Sequence, residues 1–375
     1  MNAPACLHPA WIEIDVRQLK KNIALVKSHI GKSLYCLPVK ANAYGHGLCP
    51  IGKITEEAGI DYLAVAHLQE AVRLRQAQVR IPILVLGAIH EDQIPDLIDW
   101  NLEFTISSRF KAECVAKECK KLNKKCRIHL EVDTGMQRTG MRAATARELF
   151  NYLKTVESFD IVGVYSHLAT AEHSLDAFAQ KQVEEFYTLM QQPPFHQQSL
   201  IRHLANSGGT LFFPQAHLDM VRPSLVTFGY LPKEHPPSWA EIAPCFSLKA
   251  KISYFKVVSS GSGISYGHSH ITPKQTRIVT IPVGYGDGYR RCLSNRGSVL
   301  IRGRRFPIVG TICMDQFMVD IGDQEVYVGE EAVLIGKQND VSISLMEMAE
   351  LCGTIPYEIL CLFNERIPRV YINAG

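Results

Sequence analysis

The chain lacks any apolar run of the roughly 18 residues that a membrane-spanning helix requires. It also lacks a marked excess of charge, since 40 Lys+Arg against 37 Asp+Glu leave a net charge of +3. The eleven cysteines include no Cys-x-x-Cys pair, and Met1–Pro9 has no basic segment followed by an apolar one. These absences predict a protein of the reducing cytoplasm with neither nucleic acid nor membrane as a partner.

With 375 residues, 46% of them hydrophobic and 21% charged, the chain is typical of globular proteins and too long for one ordinary core. Apolar strands alternate with helical patterns through the first part of the chain. The predicted strands are 34–39, 62–66, 83–87, 103–106, 127–133, 161–167, 201–205 and 220–222. Eight such units predict an α/β protein with an N-terminal (β/α)₈ TIM barrel.

The pattern changes at Pro232–Pro244, which holds four prolines and is typical of a linker. Short alternating segments then predict a mainly β C-terminal domain with a helix near 344–352. The predicted strands of this domain are 247–258, 275–283, 298–301, 317–321 and 332–335. We therefore predict domains at 1–240 and 241–375. The alternating strand at 11–15 is a candidate member of the second domain.

Lys40 follows the uncharged run Leu34–Val39 and precedes a turn that contains Gly45 and Gly47. Burial favours the neutral amine of a lysine, and a neutral amine is a nucleophile toward aldehydes. The glycines would let the backbone turn sharply and approach a ligand closely. The same residues also fit a lysine that extends to water from the end of a strand.

Barrel enzymes place their active sites where the strands end. The polar residues at these ends are Lys40, Arg138, His167, Asn206, Ser207 and Arg222. Each is ordinary alone, but together they would surround one mouth with cations and donors, which suits an anionic aldehyde cofactor bound as an imine. Elsewhere, His268-x-His270 has the spacing of metal ligands but no third ligand nearby, so we expect no metal.

Several motifs in order make the chain similar to the alanine racemases, a family of pyridoxal-phosphate enzymes, over essentially its full length. These motifs are Val39–Gly47, Val132–Met136 with Arg138, Ser166-His167, Asn206-Ser207, Met220–Arg222, Ser265–Gly267, Gly284-Tyr285, Cys313–Gln316 and Tyr357-Glu358. The resemblance implies interconversion of L- and D-alanine, which would supply D-alanine for peptidoglycan.

The resemblance implies two catalytic bases. Lys40 would carry the cofactor as a Schiff base and exchange the α-proton on one face of the substrate, and Tyr266 would do so on the opposite face. In this family the tyrosine comes from the other subunit of a head-to-tail homodimer. His167 would belong to the network that tunes Tyr266. Arg222 would face the pyridine nitrogen and keep it unprotonated.

The remaining roles also follow from the resemblance. Phosphate would be held by Tyr44, Ser207 and Tyr357, next to Asn206 and with backbone donors near Ser224 and Leu225. Arg138 would bind the substrate carboxylate with the Met314 amide, and also the cofactor phenolate. Tyr285 would line the entry to the site, and Asp315 would have a supporting role there. Glu131 replaces a carbamylated lysine and would give Arg138 a permanent carboxylate partner, while Ser224 replaces a glycine.

Other functions compatible with the sequence are a serine or broad-specificity racemase, a related decarboxylase, and a non-catalytic pyridoxal-phosphate carrier. Tyr357 narrows the pocket and so favours alanine over serine. Decarboxylases of this architecture pair the pyridine nitrogen with a carboxylate rather than with a residue like Arg222. The carriers lack the second domain and a residue like Tyr266.

Overall fold

The structure is a computed structural model that describes residues 8–196, 199–232 and 236–374. It divides into two compact units. The barrel unit contains Leu19–Ala43 and Leu48–Ala243. The sheet unit contains the described residues up to Gln18, the short segment Tyr44–Gly47 and the residues from Pro244 onward. No helix in the described part of the chain is long and apolar enough to cross a membrane.

The chain begins with strand β1 (Ala10–Asp15) and helix α1 (Val16–Ile30) and then enters the barrel. The barrel strands are β2 (Leu34–Pro38), β3 (Tyr62–Val65), β4 (Ile83–Val85), β5 (Glu103–Ile106), β6 (Cys126–Glu131), β7 (Phe159–Tyr165), β8 (Ile201–His203) and β9 (Met220–Val221). The remaining helices up to β9 are α2 (Lys40–Tyr44), α3 (Leu48–Glu57), α4 (Leu68–Gln76), α5 (Ile94–Asp99), α6 (Arg109–Leu122), α7 (Ala143–Leu153), α8 (Ala177–Met190) and α9 (Ser207–Phe212).

Strands β2 to β9 close into a parallel barrel, which confirms the predicted fold class. Its interior has two kinds of wall. One part is apolar and packs Cys36, Tyr62, Ala64, Leu84 and Met220 together. Strands β5, β6 and β8 instead bury ionisable side chains inside the barrel unit: Glu103, His129, Glu131 and His203. Barrel interiors are usually filled by branched apolar residues, so this polar wall requires a reason other than packing.

The sheet unit is mainly β, as predicted. Its strands after the barrel are β10 (Phe246–Lys251), β11 (Tyr254–Val258), β12 (Gly263–Ile264), β13 (His270–Ile271), β14 (Thr276–Ile281), β15 (Ser298–Ile301), β16 (Arg304–Val309), β17 (Phe317–Gly322), β18 (Glu331–Gln338), β19 (Val341–Ile343) and β20 (Arg369–Ile372). Helices α10 (Leu345–Cys352) and α11 (Pro356–Leu362) precede β20. The large sheet runs in the order β11-β14-β17-β16-β15-β18-β10-β1-β20.

Strand β1 lies inside this large sheet, antiparallel to β10 and parallel to β20. Ile12 pairs with both Leu248 and Arg369. Ala10, Ile12 and Ile14 are buried while the residues between them are partly exposed, as the alternation predicted.

Several features of the sheet unit differ from the sequence-based expectations. The predicted strand 247–258 is two strands, β10 and β11. The unpredicted elements are strands β12, β13, β16, β19 and β20 and helix α11. Part of the predicted linker, residues 233–235, lies outside the described residues.

Candidate active site

Lys40 stands at the start of a left-handed turn. The residues after it, Ala41, Asn42 and Ala43, have φ of 51°, 56° and 53°, and Tyr44 has φ of 50°. Residues with a Cβ avoid this region, at a cost of roughly 1–2 kcal/mol each. Four in succession persist only where the surroundings impose them. The strained turn therefore fixes the direction of the backbone that follows Lys40.

Hydrogen bonds inside the barrel unit hold this turn. The Ala41 amide donates to Oε1 of Glu70 at 2.7 Å, and Oε2 of Glu70 accepts from Ala66 at 2.9 Å. The side chain of Asn42 accepts from the Leu48 amide at 2.8 Å. Glu70 thus joins the turn after β2 to the end of β3. Sequence reasoning missed Glu70, which looked like an ordinary residue of an amphipathic helix.

Arg222 follows β9 and is almost completely buried in the barrel unit. Its Nη1 donates to Nδ1 of His203 at 2.7 Å. Its Nη2 donates to the Ser166 carbonyl oxygen at 2.7 Å and faces Nδ1 of His167 at 3.3 Å. Five guanidinium donors in a rigid plane make such a set of contacts specific for arginine. The structure therefore brings two of the predicted residues, Arg222 and His167, together and adds His203.

Both histidines beside Arg222 are neutral. Burial, reinforced by the Arg222 charge, lowers the pKa of His167 to about 3. The same causes place the pKa of His203 well below its ordinary value. Because Arg222 only donates, each imidazole accepts through Nδ1 and carries its proton on Nε2. His167 therefore offers an Nε2–H donor to any group beyond it.

Glu131 is buried at the end of β6, and burial raises its pKa. Its Oε1 accepts from Thr139 at 2.9 Å, and its Oε2 accepts from Tyr165 at 3.4 Å. The predicted partner Arg138 is exposed and makes no direct ion pair with Glu131 among the described residues. The two charges interact only over a longer distance, and the Glu131 carboxylate is held by hydroxyl groups.

The two serines predicted near the phosphate contact each other. Ser207 and Ser224 are both buried, their hydroxyl oxygens are 3.4 Å apart, and the Ser224 amide donates to Oγ of Ser207 at 2.9 Å. This amide was expected to face phosphate, but it is already engaged within the barrel unit. Asn206 caps α9 by accepting from the Gly209 amide at 2.9 Å, and Leu225 is buried.

In the sheet unit, Tyr266 is 72% exposed. Its backbone, by contrast, is fixed by contacts within the unit. Ser265 takes a positive φ of 66°, and Thr311 donates its hydroxyl proton to the Tyr266 carbonyl oxygen at 2.9 Å. The tyrosine is therefore presented outward on a rigid loop. The described residues of the sheet unit leave most of its surface uncovered.

Tyr285, predicted to line the entry, and Met314, predicted to bind the substrate carboxylate, lie on two loops that run side by side. The Tyr285 amide donates to the Cys313 carbonyl oxygen at 3.1 Å. A Cβ on Gly284 would lie 2.2 Å from the Met314 carbonyl oxygen, so only glycine permits this approach. Asp315 forms an ion pair with Arg366 at 2.6 Å. The sheet unit thus groups Tyr285, Met314 and Asp315.

Tyr44 and Tyr357 also lie together in the sheet unit, with ring centroids 5.9 Å apart. Next to them, Gly45 takes a φ of 79°, and a Cβ there would lie 2.2 Å from the Leu360 carbonyl oxygen. The close approach that Gly45 was expected to make to a ligand is therefore made to the protein's own helix α11.

Comparisons with known proteins cover both units. The family model "Alanine racemase, N-terminal domain" matches residues 14–232, and "Alanine racemase, C-terminal domain" matches residues 245–371. The alanine racemase of Carboxydothermus hydrogenoformans is 38% identical, over 98% of this chain and 100% of its own length. That of Methanococcus maripaludis is 37% identical, over 98% of this chain and 99% of its own.

Solved structures give the same result. The alanine racemase of Clostridium difficile superposes with a TM-score of 0.93 at 34% identity, covering 99% of this chain and 97% of its own. The Bacillus anthracis alanine racemase with bound L-Ala-P superposes with a TM-score of 0.92 at 33% identity, with the same coverage.

Proposed function

We propose, since this chain belongs to the alanine racemase family of isomerases, that it interconverts L-alanine and D-alanine with bound pyridoxal phosphate. The observation that carries the proposal is the group of Lys40, His167 and Arg222 at the strand ends of one barrel. The Lys40 charge is near enough to lower the pKa of His167, and Arg222 contacts His167 directly.

The residues of the barrel unit fit this cofactor. Lys40 offers an amine for covalent attachment, and Ser207 and Ser224 offer buried hydroxyls for a phosphate. Both terminal nitrogens of Arg222 are used by the protein, whereas no described residue accepts from its Nε. That donor suits an unprotonated pyridine nitrogen. Arg138 is exposed and would take the substrate carboxylate, with the Met314 amide, and the cofactor phenolate.

When bound, the cofactor would withdraw electrons from the α-carbon of the amino acid and so acidify its proton. Lys40 would remove or return that proton on one face. Tyr266 of the partner subunit would act on the opposite face, because racemisation needs a donor on each side. Arg222 cannot accept a proton, so it would keep the ring a weak electron sink and limit other reactions at the same carbon.

The exposed apolar side chains of the sheet unit support a homodimer. Strand β11 is an edge of the large sheet, yet Tyr254, Phe255 and Val257 are all exposed on it, as is Ile271 nearby. An apolar edge strand of this kind is usually covered by a partner. A second copy of the chain would cover it and supply Tyr266 to the site.

The test is to incubate L-alanine or L-serine with the purified protein and to monitor racemisation by circular dichroism. We expect turnover of alanine to exceed that of serine, because Tyr357 would narrow the pocket. A visible band lost on borohydride reduction, with the label on Lys40, would establish the cofactor. Faster turnover of serine would favour the broader racemase, and a band without any racemisation would favour a carrier.

Subunit mixing tests the shared site. Lys40→Ala and Tyr266→Phe should each be nearly inactive alone. If Tyr266 acts across the interface, an equimolar mixture exchanged into heterodimers should recover about a quarter of the wild-type activity, since half the dimers then hold one intact site. No recovery, with exchange verified by mass, would place both bases in one subunit. We also propose that the reaction takes place in the cytoplasm and serves peptidoglycan synthesis.

A further inference from the structure

A line of hydrogen bonds runs from Arg222 through the interior of the barrel toward the strand beginnings. Nε2 of His203 lies 3.1 Å from Nδ1 of His129, and Nε2 of His129 lies 2.8 Å from Oε2 of Glu103. Oε1 of Glu103 forms an ion pair with Nε of Arg127 at 2.9 Å. The line therefore joins Arg222 to an ion pair at the other end of the barrel.

Only one arrangement of protons satisfies every contact in this line. Arg222 donates to Nδ1 of His203, so His203 must carry its proton on Nε2 and donate it to Nδ1 of His129. His129 must then carry its own proton on Nε2 and donate to Glu103, which as a carboxylate only accepts. The four groups thus form a chain of donors with a single direction, from Arg222 to Glu103.

The barrel is built around this line at the expense of packing. His129 and His203 are fully buried, and Glu103 is 3% exposed. A Cβ on Gly163 would lie 2.6 Å from Nδ1 of His129, so the imidazole occupies the space that a side chain of β7 would fill. Buried polar groups are costly when any one of them is left unpaired. A purely structural barrel would be simpler with an apolar wall, such as the one around Cys36.

We propose that Glu103 and His129 are positioning residues for Arg222, and that together they fix the direction in which its donors point. This inference rests on the proposed function, in which Arg222 faces the pyridine nitrogen. Glu103 accepts from Nε2 of His129, and Nδ1 of His129 accepts from Nε2 of His203. Because His203 then carries its proton on Nε2, its Nδ1 can only accept from Arg222. The guanidinium is held in one rotation, in which the line contacts Nη1 and leaves Nε out of it.

Without the acceptor at Glu103, the positions of the protons along the line would no longer be fixed. His129 could then carry its proton on Nδ1, and His203 could carry its own on Nδ1, directly against the Nη1 donor of Arg222. Two donors would face each other, and Arg222 would have to rotate. The effect of Glu103 thus reaches the site through two imidazoles without any contact between Glu103 and the reacting atoms.

Nitrogen-15 NMR of the histidine-labelled full-length protein tests the arrangement without any assay of racemisation. In the wild type we expect both His129 and His203 to carry a proton on Nε2 and none on Nδ1, as the contacts of the line require. In Glu103→Leu we expect the His129 signals to shift to the Nδ1–H form or to a mixture. A wild-type His129 or His203 that is protonated on Nδ1, or charged at pH 7, would overturn the proposal even if the enzyme racemises alanine.

The kinetic arm compares Glu103→Leu and His129→Leu with Cys36→Ala, which alters the apolar wall of the same barrel. We expect kcat to fall at least tenfold in both leucine variants, with KM changed less than threefold and the visible cofactor band shifted. Cys36→Ala should keep the wild-type kcat and spectrum. Equal losses in all three variants would mean that the line serves stability only and would refute positioning. An inactive wild type with the expected NMR pattern would refute the proposed function alone.

Discussion

Replacing Glu70 by alanine should loosen the strained turn that follows Lys40. The carboxylate accepts the Ala41 amide at 2.7 Å and the Ala66 amide at 2.9 Å, which ties the turn to the end of strand β3. A hydrogen bond to a charged group contributes roughly 1.5–3 kcal/mol, and less where it is partly exposed, as here. We expect Glu70→Ala to lower the free energy of unfolding by about 2 kcal/mol.

The consequence for the site follows from the strain. Without Glu70 the left-handed residues would relax to other conformations. The conformation of Lys40 that binds pyridoxal phosphate would then have to be restored when the cofactor binds. If the whole 2 kcal/mol falls on this equilibrium, the affinity for pyridoxal phosphate should weaken roughly 30-fold. The assay is cofactor titration of the apo-protein by absorbance, beside urea unfolding of the same sample.

Two variants of helix α4 serve as controls. Gln69→Ala alters the exposed neighbouring residue and should leave both quantities unchanged. Glu70→Gln keeps an acceptor for Ala41 but not the charge, and should fall between the wild type and Glu70→Ala. If Glu70→Ala lowers the stability while the cofactor affinity stays within threefold of the wild type, Glu70 is only a helix cap and the reasoning about Lys40 is wrong.

Two further predictions follow from the burial of histidines and from one close approach. Because His167 and His203 have pKa values below the unfolded value near 6.5, the unfolded apo-protein binds more protons in acid, so stability should fall below pH 6.5 by about 1.4 kcal/mol per pH unit for each ring. Urea unfolding at pH 7.5 and 5.5 measures this, and His167→Gln should lose its share of the slope. Gly45→Ala should destabilise the protein by at least about 3 kcal/mol, since its Cβ would meet the Leu360 carbonyl oxygen at 2.2 Å. Gly31→Ala, with φ of 62° and nothing within 4 Å, should lose only about 1 kcal/mol in thermal or urea unfolding, and equal losses would contradict the steric argument.

Much of the barrel could be predicted because its strands are short apolar runs with helical patterns between them. Strand β9 has only two residues and so offers little local pattern. Strand β16 was missed because Arg304, Arg305 and Pro307 interrupt its alternation. In both cases pairing with neighbouring strands, rather than local sequence, fixes the conformation.

The site could be predicted only as a group of residue types at strand ends. The left-handed turn at Ala41–Tyr44 has no sequence signal, since alanine disfavours that region and the setting comes from Glu70 on another element. Glu103 and His129 were visible as ionisable residues in buried strands, which is the signal that could have found them. Their connection depends on the register between strands, which shifts between Ile128 and His129. The residue roles that the resemblance implies, including those of Tyr266 and Tyr357, stay predictions.

The place of β1 between β10 and β20 has a consequence for how the chain is made. The residues of the barrel unit have all been synthesised once Ala243 is added, so that unit can close while translation continues. Strand β1 is synthesised before the barrel strands but receives its parallel neighbour only with Arg369–Ile372. Until β10 has been synthesised, the nascent chain therefore carries the half-apolar β1 without either of its neighbours in the sheet. Any message that stops before Arg369 would release a product with one side of that strand left open to other chains.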